Sequence, residues 1–163
     1  MKKRLSQYIK EMAEIDQELR FKAQPGRDFA NFLIYAVDAI HNYRLHKIIK
    51  EHGYPTKKLV GGEGMRSFWL LIQHQDYDLE LQENCLTHCN FDPKEKAYLT
   101  DRVLINKGEK QLFGTQHKIT SNKHLILSPV KDRKNLGKRR RNAGLEPLER
   151  YLSKARKKLV GQK

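Results

Sequence analysis

The feature of this sequence that most constrains its fold is a long apolar segment, residues 29–52, with helical spacing. Phe, Leu, Ile, Val and Ala occur on nearly every face of the helix that this spacing predicts. A helix that is apolar all round is normally buried, so we expect this helix to lie at the centre of the fold. Gly53 ends it, and the Tyr54-Pro55 pair that follows confirms the stop.

Other segments predict helices packed around this one. Residues 3–22 carry an apolar stripe at helical spacing. A flexible glycine turn at residues 60–64 leads into a short buried helix, 65–73, which is followed by a helix over residues 79–88. A further helix, running to about Leu104, starts at Asp92-Pro93-Lys94-Glu95, where an N-cap, a first-turn proline and a capping-box glutamate coincide.

The last third of the chain contains two short strands and a basic end. Residues 111–119 and 125–127 are typical of strands separated by a polar turn. The sequence therefore predicts a predominantly helical α+β domain of five or six helices around a central buried helix, with a small hairpin near residues 112–127. We place the compact body at residues 1–130, and a basic extension, helical and partly packed on the body, at residues 131–163.

The charge of the chain is concentrated in this extension. The whole chain has 33 Lys and Arg against 19 Asp and Glu, a net charge of +14, and the extension alone has 13 against 3. Such placement favours attachment to nucleic acid or to an acidic protein through the extension. The candidate nucleic-acid-binding residues are Arg139, Arg140, Arg141, Arg156, Lys157 and Lys158.

Hydropathy and cysteine content limit the expected location of the protein and its possible disulfide and metal sites. No apolar run approaches the roughly 20 residues needed to cross a bilayer, so we expect a cytoplasmic protein without a membrane span. Cys85 and Cys89 stand four residues apart, a helical spacing that disfavours a disulfide. No second ligand pair follows them to complete a structural zinc site. We therefore expect buried or half-buried thiols, no metal and no cofactor.

Several polar residues stand at positions that should face the protein interior. Asp16 lies on the apolar stripe of the first helix, and Arg20 follows one turn later. Asp38 and Asn42 lie on the inward line of the apolar helix. Because buried polar groups need partners, these residues are the first candidates for a site.

These residues and their neighbours resemble the bacterial family of unknown function DUF6624 over nearly the whole chain. The matching pieces are Asp16-Gln17 with Arg20, Asp38 with Asn42, residues 53–56 with Gly61, residues 69–74 with Asp76, residues 97–103, residues 111–116, and Arg140-Arg141 with Gly144-Leu145. The family usually has Trp at the position of Tyr54 and often has Tyr at the position of Phe113, so the sequence departs from its pattern there. The resemblance implies that the shared polar residues form one site, without naming a reaction.

The shared residues suit acid–base chemistry on an anionic substrate. His74 is the best general acid–base candidate because histidine as a residue type can exchange protons near neutral pH, and Asp76 or Asp101 would orient it as catalytic partners. Two arginines would hold a phosphate or carboxylate. The proposed substrate-binding residues are Asp16, Arg20, Asp38, Asn42, Gln73, Arg102, Thr115 and Gln116. We expect a hydrolase or transferase acting on a small phosphate- or nucleotide-like substrate.

Other interpretations of the same residues stay open. The polar set would also suit a ligand site without catalysis, or a structural network in which Asp–Arg pairs hold helices together. His74, Asp76 and Asp78 would offer mixed nitrogen and oxygen ligands to a metal. The alternative function is a basic module that binds RNA or a protein partner through residues 131–163, without catalysis.

Overall fold

The computed structural model describes residues 2–22, 28–120 and 124–161. Pro25-Gly26, where the sequence predicts a chain break between the first two helices, lies outside the described residues. The chain forms two compact units, residues 1–91 and residues 92–163. The first unit contains α1 (Lys2–Lys22), α2 (Asp28–His52), α3 (Lys57–Gln73) and α4 (Leu79–His88). The second contains α5 (Pro93–Asn106), β1 (His117–Ile119), β2 (Leu125–Leu127), a 3-10 turn (Arg133–Asn135), α6 (Leu136–Asn142) and α7 (Leu148–Gly161).

The predominantly helical class is confirmed, with a small antiparallel hairpin near residues 117–127. The described ranges hold seven α-helices rather than five or six, because the basic end forms both α6 and α7. The hairpin is shorter than predicted: Ile119 pairs with Leu125 and His117 with Leu127. Residues 111–116 make turns instead of strand, apart from a single bridge between Gln111 and Val130.

Helix α2 corrects the prediction of a helix buried on all sides. One of its faces is buried, with Leu45 0% and Ile48 4% exposed. Its large side chains on other faces are solvent-exposed: Phe29 71%, Phe32 64%, Tyr35 71%, Ile40 51% and Tyr43 70%. The apolar composition of α2 therefore reflects an exposed aromatic surface as well as a core face.

The core of the first unit lies where α1 packs against α3. From α1, Ile9 and Met12 are buried, and from α3, Phe68 and Leu71 are buried. Across this contact the Ser6 hydroxyl donates to the carbonyl of Val60 at 2.6 Å. The side of α1 that carries the apolar stripe thus anchors the helix that leads to His74.

The glycine-rich segment, predicted as a flexible turn, lies within α3. Thr56 caps the helix by accepting from the amide of Leu59 at 3.3 Å. The helix kinks at Gly61, whose φ of 73° and ψ of 174° are readily available to glycine. Gly64 is buried against α1, since an added methyl group would lie 2.8 Å from the Ser6 hydroxyl oxygen. The glycines allow a bend and a close helix contact rather than a loose turn.

In the second unit, α5 packs against residues of the basic extension. As predicted, α5 starts with Pro93 in its first turn and a capping box in which the Asp92 amide donates to Glu95 at 3.1 Å. Ala97 of α5 packs in a buried cluster with Ala143 and Leu145. The basic extension therefore belongs to the same compact unit as α5 and the hairpin.

The two units differ sharply in charge. Residues 1–91 carry 13 Lys and Arg against 12 Asp and Glu, whereas residues 92–163 carry 20 against 7. Among the described residues, none of the helices is both long and apolar enough to traverse a lipid bilayer. Cys85 and Cys89 are buried free thiols, as predicted.

Candidate functional site

The polar residues of the first unit centre on His74, which ends α3. Its amide donates to the Leu71 carbonyl at 3.1 Å, and its backbone angles leave the helix there. The imidazole Nδ1 lies 3.0 Å from Oδ1 and 2.9 Å from Oδ2 of Asp16. The His74 side chain is 16% exposed while that of Asp16 is 1% exposed. A buried carboxylate thus holds a histidine that still reaches solvent.

The Asp16 carboxylate is stabilised in its charged form. It accepts hydrogen bonds from Arg20 Nε at 3.0 Å and from Gln17 Nε2 at 2.8 Å, besides the His74 contact. Burial by itself raises the pKa of Asp16, but the hydrogen bonds from His74 and Gln17 and the charges of His74 and Arg20 outweigh it. The resulting pKa is about 2. Asp16 is therefore ionised at neutral pH.

Arg20 links the end of α1 to α2. Its Nη2 donates to Oδ1 of Asp38 at 2.5 Å, while its Nε is bound to Asp16. Burial is the largest influence on Asp38 and raises its pKa above the ordinary value, although the Arg20 hydrogen bond and charge oppose this. One guanidinium is thus shared between two carboxylates.

The segment between α3 and α4 is attached to α2 by three side chains. The Tyr77 hydroxyl donates to the carbonyl of Asp38 at 2.9 Å. Asn42 Nδ2 donates to Oδ2 of Asp78 at 2.8 Å, and His46 Nε2 lies 2.7 Å from the same oxygen. Asp78 also caps α4. These bonds fix the backbone that carries His74 relative to α2.

A second histidine of α2 is buried close to this cluster. His41 is 2% exposed, and its Nδ1 has no hydrogen-bond partner within the described ranges. Burial lowers the pKa of His41 to about 4, against the opposing attraction of Asp16. His41 is therefore neutral at physiological pH. Gln73 is also buried, and its Nε2 atom likewise has no hydrogen-bond partner among the residues described.

The predicted partners of His74 have other positions. Asp76 is exposed in the turn after His74. Asp101 is fully buried in α5, within the second unit, where its carboxylate accepts from the amides of Leu112, Phe113 and Thr115. The carboxylate bound to His74 is that of Asp16, one of the predicted substrate-binding residues.

Asp101 organises the turns that precede β1. The three amide bonds measure 2.7–2.9 Å, and the Thr115 hydroxyl adds a fourth donor at 2.9 Å. Gln116 Nε2 donates to the same hydroxyl at 3.1 Å. Arg102, the neighbour of Asp101, is half-buried. Four of the predicted site residues thus lie in the second unit, whereas the other seven lie in the first.

Two arginines of the basic extension are engaged within the second unit. Arg140 is 1% exposed and donates to the carbonyls of Glu146 at 2.8 Å and Phe113 at 2.6 Å. Arg139 Nε donates to the Leu112 carbonyl at 2.8 Å. By contrast, the side chains of Arg141, Arg156 and Lys157 are exposed. The side chain of Lys158 lies outside the described part.

The residues that the sequence interpretation missed are His41, His46 and Tyr77. His41 and His46 follow Asp38 and Asn42 at spacings of three and four, which place all four on one side of α2. That spacing is the signal by which they could have been found. In residues 2–22, 28–120 and 124–161, no three His, Cys, Asp or Glu side chains converge to hold a metal ion. His74 and Asp78 instead bind separate partners.

Comparison with known proteins agrees with the resemblance seen in the sequence. A model of a family of unknown function, DUF6624, matches residues 3–159. No curated protein and no solved structure matches the chain. Since the match spans both compact units and nearly every described residue, the chain belongs to the DUF6624 family.

Proposed function

We propose that the protein is an enzyme in which His74 acts as general acid and base in a hydrolysis or transfer reaction, with Asp16 as its orienting partner. The observation that carries this proposal is the contact of 2.9 Å between His74 Nδ1 and the buried Asp16 carboxylate. A carboxylate at Nδ1 holds the neutral ring in the tautomer with its lone pair on Nε2. The same arrangement positions the histidine in hydrolytic triads.

The electrostatics of the cluster support a role in proton transfer. Asp16 is ionised, with a pKa of about 2, and would stabilise the imidazolium that forms when His74 takes a proton. The His74 side chain is 16% exposed, which is consistent with the access that a reactant from solvent would need. A purely structural ion pair would not require this access.

The substrate we propose is a small molecule with an anionic, phosphate- or nucleotide-like group. Arg20 is 27% exposed, and its Nε and Nη2 are bound to Asp16 and Asp38. The remaining nitrogen, Nη1, would donate to the anionic group. This is a single contact rather than the bidentate clamp expected from the sequence, so we expect modest selectivity for anions.

A matched pair of histidine variants tests the proposal. The assay measures release of nitrophenol from p-nitrophenyl acetate, p-nitrophenyl phosphate and bis(p-nitrophenyl) phosphate. General acid–base catalysis typically contributes about 10²–10⁴-fold, so we expect His74→Asn to lose that factor in kcat, with Asp16→Asn also impaired. His124→Asn, at an exposed position in the second unit, serves as control and should keep full activity. Equal turnover by His74→Asn and the control would refute the proposal.

The alternative function, a basic module that binds RNA or a protein partner, rests on the exposure of Arg141, Arg156 and Lys157. Deleting the extension is a poor test because it would remove buried Arg140 and Leu136 from the second unit. A triple substitution of the three exposed cations by Gln leaves that packing intact. Loss of binding to a short RNA in this variant, with His74→Asn unaffected, would favour the alternative.

A further inference from the structure

The second unit contains a cleft that the proposed reaction does not use. It has a volume of about 430 Å³ and lies between α5, β1 and α7. A second cavity of about 340 Å³ adjoins it and shares Tyr98, Glu146 and Lys154. Sites for small ligands typically measure about 300–1,000 Å³. The cleft is therefore large enough for a molecule of nucleotide size.

Three aromatic rings line one part of the cleft. The rings of Tyr98 and Tyr151 are 6.4 Å apart and nearly perpendicular, at 74°. The ring of His117 lies 6.0 Å from that of Tyr151, at 65°. Ile119 and Leu159 add aliphatic surface. Such a lining suits a flat aromatic group, which gains from contact with ring faces and edges.

The hydrogen bonds of Tyr151 keep this aromatic lining in one arrangement. Its hydroxyl donates to the Thr115 carbonyl at 2.6 Å and lies 3.2 Å from His117 Nδ1. Because the hydroxyl proton is used by Thr115, the contact with His117 needs a proton on Nδ1. The neutral His117 ring then carries its lone pair on Nε2, an acceptor for an amino group.

The adjoining part of the cleft is cationic. Lys94, Arg140, Arg150 and Lys154 line it together with one acidic residue, Glu146. Glu146 accepts from Lys154 at 2.7 Å and lies 3.6 Å from Arg150. The four cations exceed the single carboxylate, and they belong to a unit with 20 Lys and Arg against 7 Asp and Glu. An anion in this part of the cleft would be held by the uncompensated charge.

We infer that this cleft binds a nucleotide unit, with the base on the aromatic lining and the phosphate at Lys94, Arg150 and Lys154. Both halves of the inference rest on side chains of one compact unit and require nothing from His74. The unit bound would be a free mononucleotide or one nucleotide of a strand. The two sources share the same chemistry at the cleft.

The test measures binding of adenosine monophosphate, adenosine, inorganic phosphate and an eight-residue oligoadenylate to the full chain by calorimetry. Aromatic NMR signals of Tyr98, Tyr151 and His117 report where binding occurs. We expect the monophosphate to bind more tightly than adenosine or phosphate alone and to shift these signals. Tighter binding of the oligonucleotide through the same signals would identify a strand as the source.

Two variants and a control complete the test. Lys154→Ala should weaken binding of the monophosphate about tenfold, the loss of one charged hydrogen bond. Ala155→Trp should fill the cleft and abolish binding without removing any core side chain. Lys138→Ala, at an exposed position in α6, should bind as the unmodified protein does. Unperturbed aromatic signals with both monophosphate and oligonucleotide, or unchanged binding in Ala155→Trp, would overturn the inference.

Discussion

Replacing Asp101 by Asn should destabilise the second unit strongly, although the two side chains have almost the same shape. The carboxylate receives four donors from three residues, Leu112, Phe113 and Thr115. The amide of Asn keeps one acceptor oxygen and turns an NH2 group toward the remaining donors. At least two bonds to a charged acceptor are lost, at about 1.5–3 kcal/mol each. We therefore expect Asp101→Asn to lower the free energy of unfolding by about 4 kcal/mol.

Amide hydrogen exchange measures this effect in the unit where it occurs. The only tryptophan, Trp69, lies in the first unit, so its fluorescence does not report directly on Asp101. Exchange at the buried amides of Ala97 and Leu99 does. Glu109→Gln, a change of the same type at an exposed position of the same unit, should alter stability by less than about 0.5 kcal/mol. A loss below about 1 kcal/mol in Asp101→Asn would refute the reasoning that amide donors to a charged acceptor hold these turns.

Three further perturbations have outcomes that follow from packing and charge. The pKa of His41 is about 4 in the folded state and about 6.5 in the unfolded state. Unfolding therefore takes up a proton at pH values between these two. The contribution of His41 to the free energy of unfolding should be complete above pH 6.5 and should fall by about 3 kcal/mol on acidification to pH 4. Urea unfolding of His41→Gln at both pH values should lack most of that fall, and an equal fall would contradict the assignment. Gly64→Ala places a methyl group 2.8 Å from a side-chain oxygen of α1 and should lower the free energy of unfolding by about 1–3 kcal/mol. Gly62→Ala, whose added methyl group would have nothing within 4 Å, should leave the midpoint of thermal denaturation unchanged or raise it. Arg140→Lys leaves buried carbonyls without donors and should cost about 2–4 kcal/mol by hydrogen exchange, while the same change at exposed Arg141 should cost little.

Local signals in the sequence predicted the ends of elements well. Asp92, Pro93 and Glu95 start α5 as expected, and Gly53 adopts the positive φ, 72°, that ends α2. These features depend on bonds within one turn of the chain, so a short stretch of sequence is enough to specify them.

Features that depend on the number of packing neighbours were less predictable. The apolar residues of α2 indicated a helix buried on all sides, but only one side faces the core, and Phe32 and Tyr35 are 64% and 71% exposed. Periodicity shows which faces of a helix are apolar, whereas burial depends on what else in the fold can cover them. In the described part of the first unit, the other three helices leave several apolar side chains of α2 uncovered.

The sequence predicted which residues belong to the candidate site better than it predicted which of them contact each other. Asp16, Arg20, Asp38 and His74 were all identified, and the structure joins them in one cluster. The contact of Asp16 with His74 spans 58 positions in sequence and arises from the packing of α1 on α3. Asp101, by contrast, binds backbone amides, which leave no mark in the residue types around it.

The uneven division of charge has a consequence for how the protein responds to ionic strength. With 20 Lys and Arg against 7 Asp and Glu, residues 92–163 repel themselves electrostatically when compact, and counterions relieve that repulsion. The screening length shortens from about 10 Å at 0.1 M salt to about 3 Å at 1 M. Added salt should therefore stabilise this unit, while residues 1–91, with nearly balanced charges, should respond weakly. At low ionic strength the second unit, including the turns bound by Asp101, should therefore unfold more readily than the first.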